Sequence, residues 1–220
     1  MPLSTLPLPP VPFQHGKVST TFARPLLDGS LTIPQMIDYN AEHGPNHPLF
    51  LYDDGPAKVY ITWSQVRRAT ERVARIVRSY NIPTHDTASR CIGILAALDT
   101  ITYFTIQHGI IRAGYIPFSL SPRNSPAALA HLLSETNTTH VFVSGDPSMQ
   151  ALWAGVEKVL QGTGHPTCQA IPTPFYTHLY EERPEDGLAI LPAPSENINS
   201  VGLMLHSSGM THPPSISYTS

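Results

Sequence analysis

From Pro48 onward the apolar positions alternate between two rhythms, one strand-like and one helical. Leu49-Phe50-Leu51-Tyr52 and Val59-Tyr60-Ile61-Thr62 are β-favouring runs around Asp53-Asp54-Gly55-Pro56, which predicts a hairpin. Val66, Ala69, Val73, Ile76 and Tyr80 then recur at three and four residues, the spacing of one helical stripe. Thr62-Trp63-Ser64-Gln65 has the spacing of a capping box, so a helix is expected over about 63–80. Further along, Cys91–Leu95 is a buried strand, and Asp99 caps a helix that ends at Ala113 with Gly114 as its left-handed C′ residue. Tyr115–Phe118 is short and extended. Ser125-Pro126 and Asp146-Pro147 start two more helices, separated by the strand His140–Val143. The second carries Leu152, Trp153, Val156, Val159 and Leu160 on its inward face. Residues 161–184 look irregular, and Leu188–Leu191 and Val201–Leu205 are expected as the last strands.

Strand and helix in alternation predict a layered α/β fold, a largely parallel sheet with flanking helices. Such sheets bind ligands at the carboxyl ends of their strands, so the loops after Leu95, Phe118, Val143 and Leu205 are the places to look for chemistry. Residues 1–33 are Pro-rich and aperiodic, which fits an extended surface arm.

Composition narrows the function classes. Lys and Arg number 13 against 16 Asp and Glu, a net charge of −3 that does not build a surface for nucleic-acid phosphates. The 23 prolines argue against long uninterrupted helices, and no apolar run reaches the ~18 residues of a membrane span. The N-terminal stretch has no positively charged region before an apolar one, unlike a secretory leader. Cys91 and Cys168 sit in unlike contexts and are expected as two reduced thiols, Cys91 a small core residue. Together these features point to a cytoplasmic protein with neither a nucleic-acid nor a membrane partner.

Candidate chemistry concentrates after Val201–Leu205, at His206-Ser207-Ser208-Gly209-Met210-Thr211. Hydroxyls and a glycine at a strand end let backbone N–H and Oγ groups converge on an anion with no Cβ in the way, which is what a phosphate cradle requires. A simple turn is the plainer explanation of the same residues.

With its strand, Leu205-His206-Ser207-Ser208-Gly209 resembles the start of the phosphate loop of the adenylate-forming superfamily, whose members use ATP to activate a carboxylate as an acyl-adenylate. Tyr60–Trp63 leading into a helix, and Ile111–Pro117 followed by Ser121-Pro122-Arg123-Asn124, are similar to N-terminal motifs of AMP-binding domains. Leu26–Thr32 and His43–Leu49 resemble the fungal branch of non-ribosomal-peptide-synthetase-like reductases. The resemblance spans about residues 24–211. It implies the N-terminal subdomain of an adenylate-forming (ANL-type) fold, present incompletely, with residues 34–211 as a partial adenylation domain and 212–220 as a divergent tail. It further implies ATP with Mg2+ as the parent family's cofactor and a carboxylic acid as its substrate. His206, Ser207, Ser208, Gly209 and Thr211 are the nucleotide-binding residues on this view.

The pattern departs from the family just past Gly209. Met210, His212 and Ser215 stand where a hydroxyl residue, a second glycine and a lysine belong. If the second glycine adopts positive φ, His there costs about 1–2 kcal/mol, and losing the ammonium removes a contact of about 1.5–3 kcal/mol. No Lys or Arg follows Arg183. The ribose-binding acid, the rest of the sheet and the lid lysine do not occur among these residues either. The chain is therefore expected to bind ATP weakly and to catalyse no adenylation alone. The alternative is a silent binding or interaction module, or a truncated gene product, with an open sheet edge prone to self-association; the transcript around codon 209 distinguishes these origins.

Other clusters have plainer explanations. Arg67, Arg68, Arg72, Arg75 and Arg78 with Glu71 are expected to form a solvated helix face. His206 and His212 have no acidic or thiol neighbour in their loop, which argues against a metal site. His108 is expected at the core edge, and His206-Ser207-Ser208-Gly209 lacks the frame of a nucleophile elbow. Arg123 belongs to a turn that, by the resemblance, lies on the cofactor side.

Overall fold

The computed structural model describes residues 19–26, 28–53, 55, 57–82, 90–163, 168–184, 191–192, 202–206 and, as backbone, 216–219. The first helix, α1 (Ile33–His43), has Pro34 in its first turn, and the N–H of its N-cap Thr32 donates to Oε1 of Gln35 at 2.8 Å. The hairpin β1 (Pro48–Asp53) and β2 (Lys58–Thr62) pairs antiparallel, with Gly55 at φ 78° in the turn. Helix α2 (Trp63–Ser79) follows at once, and the expected box is present: Thr62 Oγ1 accepts from the Gln65 N–H, and Gln65 Oε1 accepts from the Thr62 N–H.

The second sheet is built from β3 (Cys91–Leu95), β4 (Ile116–Ser119), β5 (His140–Val143), β6 (Gln169–Pro172), β7 (Leu203–His206) and β8 (Ile216–Thr219). Among the described residues its order is β6-β5-β3-β4-β7-β8, parallel except for the antiparallel β7–β8 pair. Helix α3 (Thr100–Arg112) links β3 to β4 and starts as the sequence predicts, with the Asp99 carboxylate accepting the Thr102 N–H at 2.8 Å. Gly114 ends it at φ 91°. Helix α4 (Pro126–Glu135) is capped by Ser125, and α5 (Pro147–Thr163) joins β5 to β6.

Strand period two sorts the core onto both faces of the sheet. Ile92, Ile94 and Phe142 pack with Ala69, Val73, Val77, Ile106 and Ile110 of α2 and α3. Cys91, Leu95, Val141 and Val143 face the other way, against Leu129, Leu132 and Leu133 of α4 and Met149, Trp153, Val156 and Leu160 of α5. The loop after β3 therefore leads to one face, and the loops after β4 and β5 lead to the other. In open α/β sheets such a divergence marks the carboxyl edge, here beside β3, as the expected place for a ligand.

Several expectations need correction. The stretch 161–184 is not wholly irregular, because it holds β6 and the short helix α6 (Tyr176–Tyr180). Helix α1 was not anticipated although Thr32, Pro34 and Gln35 give it a capping box and a first-turn proline, and the unanticipated β8 lies inside the stretch expected as a divergent tail. Leu191 is not in a strand, and residues 188–190 fall outside the described set. Within the expected arm, residues 19–26 have no regular structure, and Thr21 Oγ1 bonds His47 Nδ1 at 2.8 Å.

The arginine face of α2 is only partly solvated. Arg72 donates to the Leu179 carbonyl at 2.6 Å, and Glu71 is buried beside the fully buried Arg112, 3.8 Å from its Nη1. Arg112 also pairs with Asp38 of α1 and donates to the Leu191 carbonyl at 3.1 Å, so one side chain ties together α1, α2, α3 and the chain near 191.

His108 sits on α3, stacked on Phe104 at 3.7 Å, and its Nδ1–H donates to the Phe104 carbonyl at 2.7 Å. Burial pulls its pKa and that of His140 below the ordinary histidine value. The unfolded chain then takes up protons near pH ~6.5 that the folded chain resists, so stability falls as pH drops through that value. Glu71, pushed up by burial, acts in the opposite sense at lower pH. We expect denaturation midpoints to fall between about pH 7 and pH 5.5, and His108→Asn to shrink the fall. An unchanged slope in the variant would remove His108 from the account.

Candidate functional site

The carboxyl edge of the parallel sheet gathers the loops 96–99, 120–125, 144–146 and 173–175. Two of them are fastened to each other by backbone and hydroxyl groups. The Ser144 N–H donates to the Leu95 carbonyl at 3.3 Å, and the Ala97 N–H donates to Ser144 Oγ at 3.2 Å. Asp99 and Asp146 start α3 and α5; the latter accepts the Ser148 N–H at 2.8 Å, and hydrogen bonds from Ser148 hold its carboxyl below the usual range.

Of the residues singled out in the sequence, His206 lies in the described set and Ser207, Ser208, Gly209 and Thr211 lie outside it. His206 ends β7, next to β4 through the pair Phe118↔Met204. Its Nε2 accepts the Ser121 N–H at 3.1 Å, lies 3.5 Å from Asn124 Nδ2, and its ring stands edge-on to the buried Phe118 at 6.1 Å. A backbone N–H can only donate, so Nε2 carries no proton in this arrangement. The Ser121–Asn124 turn is closed by the Asn124 N–H to the Ser121 carbonyl at 3.1 Å and by the Arg123 N–H to Ser121 Oγ at 3.3 Å. On the other side, His206 pairs with Ile216 of β8.

The structure thus brings together two stretches that are about 80 residues apart in sequence, the turn after β4 and the residue that precedes Ser207. Sequence reasoning singled out both and missed their contact, because nothing local reveals that β4 and β7 are neighbours.

Other chemically suggestive groups are structural. Burial pushes the Cys91 thiol to about 11 and the Cys168 thiol to about 12, which leaves neither as a nucleophile near neutrality. Both are free and buried. Tyr52 and Tyr176 share a hydroxyl contact of 3.0 Å, and the Tyr180 hydroxyl, raised to about 12 mainly by burial, meets Thr105 Oγ1 at 2.6 Å. A cavity of about 60 Å³ beside Asn137, Thr139, Leu160 and Cys168 lies at the amino ends of β5 and β6, away from this edge and too small for a nucleotide. Among the described residues no group of three His, Cys, Asp or Glu could hold a metal, and no helix is long and apolar enough to cross a membrane.

A five-stranded parallel core with helices on both faces and its loops converging at one carboxyl edge defines an α/β ligand-binding domain. The model of the AMP-binding enzymes matches residues 37–214, and the chain belongs to that adenylate-forming family. It is 34% identical to the adenylate-forming reductase Nps10 of Heterobasidion annosum, over 97% of this chain and 20% of that protein. It is 39% identical to Nps11 of Serpula lacrymans var. lacrymans, over 88% of this chain and 18% of that one. The chain thus spans about a fifth of the length of the curated relatives it matches.

Solved structures share the fold. A luciferase-like enzyme from the nonluminescent Zophobas morio mealworm aligns at TM-score 0.62 and 18% identity, over 91% of this chain and 45% of its own. A long-chain-fatty-acid CoA ligase from Rhodopseudomonas palustris aligns at 0.63 and 17%, over 86% and 44%. The expected fold class and family are those found.

Proposed function

We propose that these 220 residues are the first part of an ATP-dependent carboxylate-activating enzyme, the adenylation portion of a fungal reductase-like protein, and that alone they form no acyl-adenylate. The observation that carries this is the family match over 37–214 together with the placing of His206 at the carboxyl edge against the Ser121–Asn124 turn. Ser207, Ser208, Gly209 and Thr211 follow directly, and their main-chain amides and hydroxyls are the proposed contacts for the nucleotide phosphates. The adenylation unit would run over 34–211, with 1–33 as an arm and 212–220 as a tail whose β8 extends the sheet.

Silence of the isolated chain follows from charge. Attack of a carboxylate on the α-phosphorus builds negative charge, which such enzymes offset with cations and fixed dipoles. Met210, His212 and Ser215 depart from the family's loop, and no Lys or Arg follows Arg183. Mg2+, which accompanies ATP in this chemistry, would find no three-residue acidic or histidine cluster among the described residues and would depend on the phosphates for most of its ligands.

ATP–pyrophosphate exchange by the purified chain with a panel of carboxylic acids is expected to stay at background. Exchange above background would overturn the proposed silence. A transcript that reads through codon 209 into a standard loop and lid would assign the activity to the longer product, whereas a stop at codon 221 would favour a binding module that self-associates through the β8 edge.

A further inference from the structure

We propose that the His206 imidazole is a pH-sensitive latch: unprotonated, it fastens the turn Ser121–Asn124 to the end of β7, and protonated, it lets the turn go. The latch is a property of the fold and holds whatever the chain beyond His206 binds.

One hydrogen bond joins two segments 85 residues apart, from the Ser121 N–H to His206 Nε2 at 3.1 Å. An amide N–H has nothing to accept with, so Nε2 must keep its lone pair and the neutral ring carries its proton on Nδ1. A second proton, placed on Nε2, turns the acceptor into a donor and sets two N–H groups against each other. Asn124 Nδ2, 3.5 Å from the same nitrogen, is a further donor in that position. A carboxamide turned over to offer Oδ1 would satisfy the charged ring, but it would still leave the Ser121 N–H without its acceptor.

The surroundings separate a fixed part from a releasable one. Leu120 is tied to the sheet through its N–H on the Ile94 carbonyl at 3.0 Å. Beyond it, the other hydrogen bonds of the turn among the described residues are internal, from the Asn124 N–H to the Ser121 carbonyl and from the Arg123 N–H to Ser121 Oγ. The ring itself stands edge-on to the buried Phe118 at 6.1 Å, beside the Phe118↔Met204 pair, so packing sets its place independently of its charge.

Few titratable or charged groups lie on the elements that meet His206. The turn brings Arg123, β4 and the rest of β7 bring none, and β8 brings Tyr218. Tyr103 of α3 bonds Ser119 at the end of β4, and burial raises its pKa, so it stays neutral where imidazole titrates. On α4, His131 and Glu135 come after an apolar first turn. None of these elements presents a carboxylate at this end to hold an imidazolium in place of the lost bond.

The test is amide hydrogen exchange of the purified chain, read residue by residue by NMR from about pH 7.5 to about pH 5.5, with each rate referred to the intrinsic rate at that pH. Protection of the Ser121 N–H is expected to fall about tenfold or more over this interval, because each pH unit below the ring's titration leaves about tenfold less of the acceptor form. The Leu120 N–H, one residue away, should keep its protection. His206→Gln offers Oε1 near the place of Nε2 and does not titrate, so it should hold Ser121 at every pH. His206→Phe keeps a ring against Phe118 but has no acceptor, so Ser121 should exchange fast at both ends of the range. Nitrogen chemical shifts of the His206 ring should report a bare Nε2 at neutral pH. Ser121 protection that stays level in the wild type, or that falls equally in His206→Gln, would overturn the latch, as would a protonated Nε2 at neutral pH. A parallel fall at Leu120 would overturn it in favour of the general loosening in acid to which His108 and His140 contribute.

Discussion

Replacing Arg112 by methionine is expected to destabilise the chain by about 3–5 kcal/mol, the range found when one partner of a buried ion pair is removed. The side chain is 0% exposed, its partner Asp38 is 29% exposed, and Glu71 is 11% exposed, so the carboxylates left behind have little water to turn to. Arg112 also supplies the Leu191 carbonyl with its donor. Much of the loss should come from Glu71, whose Oε1 is buried without a hydrogen bond and whose pKa burial already raises while Arg112 lowers it. Without Arg112 that carboxyl rises further. Because the folded state then holds a proton more tightly than the unfolded one, the cost should be smallest below the ordinary glutamate pKa and grow as pH rises through the raised value. Arg112→Met combined with Glu71→Gln should recover about 1 kcal/mol or more and flatten that pH dependence. Denaturant melts of the two single variants and the double variant at several pH values measure both effects. A loss below about 1 kcal/mol for Arg112→Met would mean that the three helices do not depend on this charge.

The second large effect is expected at Gly109, where α3 crosses α2. A Cβ there would lie 2.4 Å from Val73 Cβ, 2.6 Å from its Cγ1 and 3.0 Å from the Thr70 carbonyl oxygen. A branch-point carbon and a backbone oxygen cannot swing aside as the tip of a flexible chain can, so the helices must part. Overpacking of this kind costs about 1–3 kcal/mol or more, against about 1 kcal/mol that alanine returns through helix propensity. Gly109→Ala should therefore lower stability, and Gly109→Val should lower it further. Trimming Val73 to Ala keeps the Cβ contact and so should not rescue either variant. A Gly109→Ala chain as stable as wild type would show that α2 and α3 tolerate a wider separation than the structure gives them.

Legibility in the sequence followed interaction range. The Thr62–Gln65 box, the Asp99 and Ser125 caps and the positive φ of Gly114 are set by residues within four positions of one another, and each is where the pattern placed it. Of the elements overlooked, α1 had a capping box that went unread, and two others have little periodicity of their own. Strand β6 and helix α6 have four and five residues, too few to show a repeat. Along α2, Arg72 and Glu71 look like neighbours of water until α6 and Arg112 are packed against them. His206 and Arg123 were both visible as candidates, whereas the 3.1 Å contact that joins their segments was not.

What the sequence alone determined was the alternation of strands and helices, the ends of the better-capped helices and the likeness to adenylate-forming enzymes, since neighbouring residues dictate local conformation and motifs stay ordered along a chain. Tertiary structure alone decided that β4 lies between β3 and β7, that the turn bearing Arg123 abuts the residue before Ser207, and that Arg112 is enclosed by acids from two other helices. Strand order and the handedness of crossovers determine which distant segments meet, and no local pattern of polar and apolar residues records that outcome.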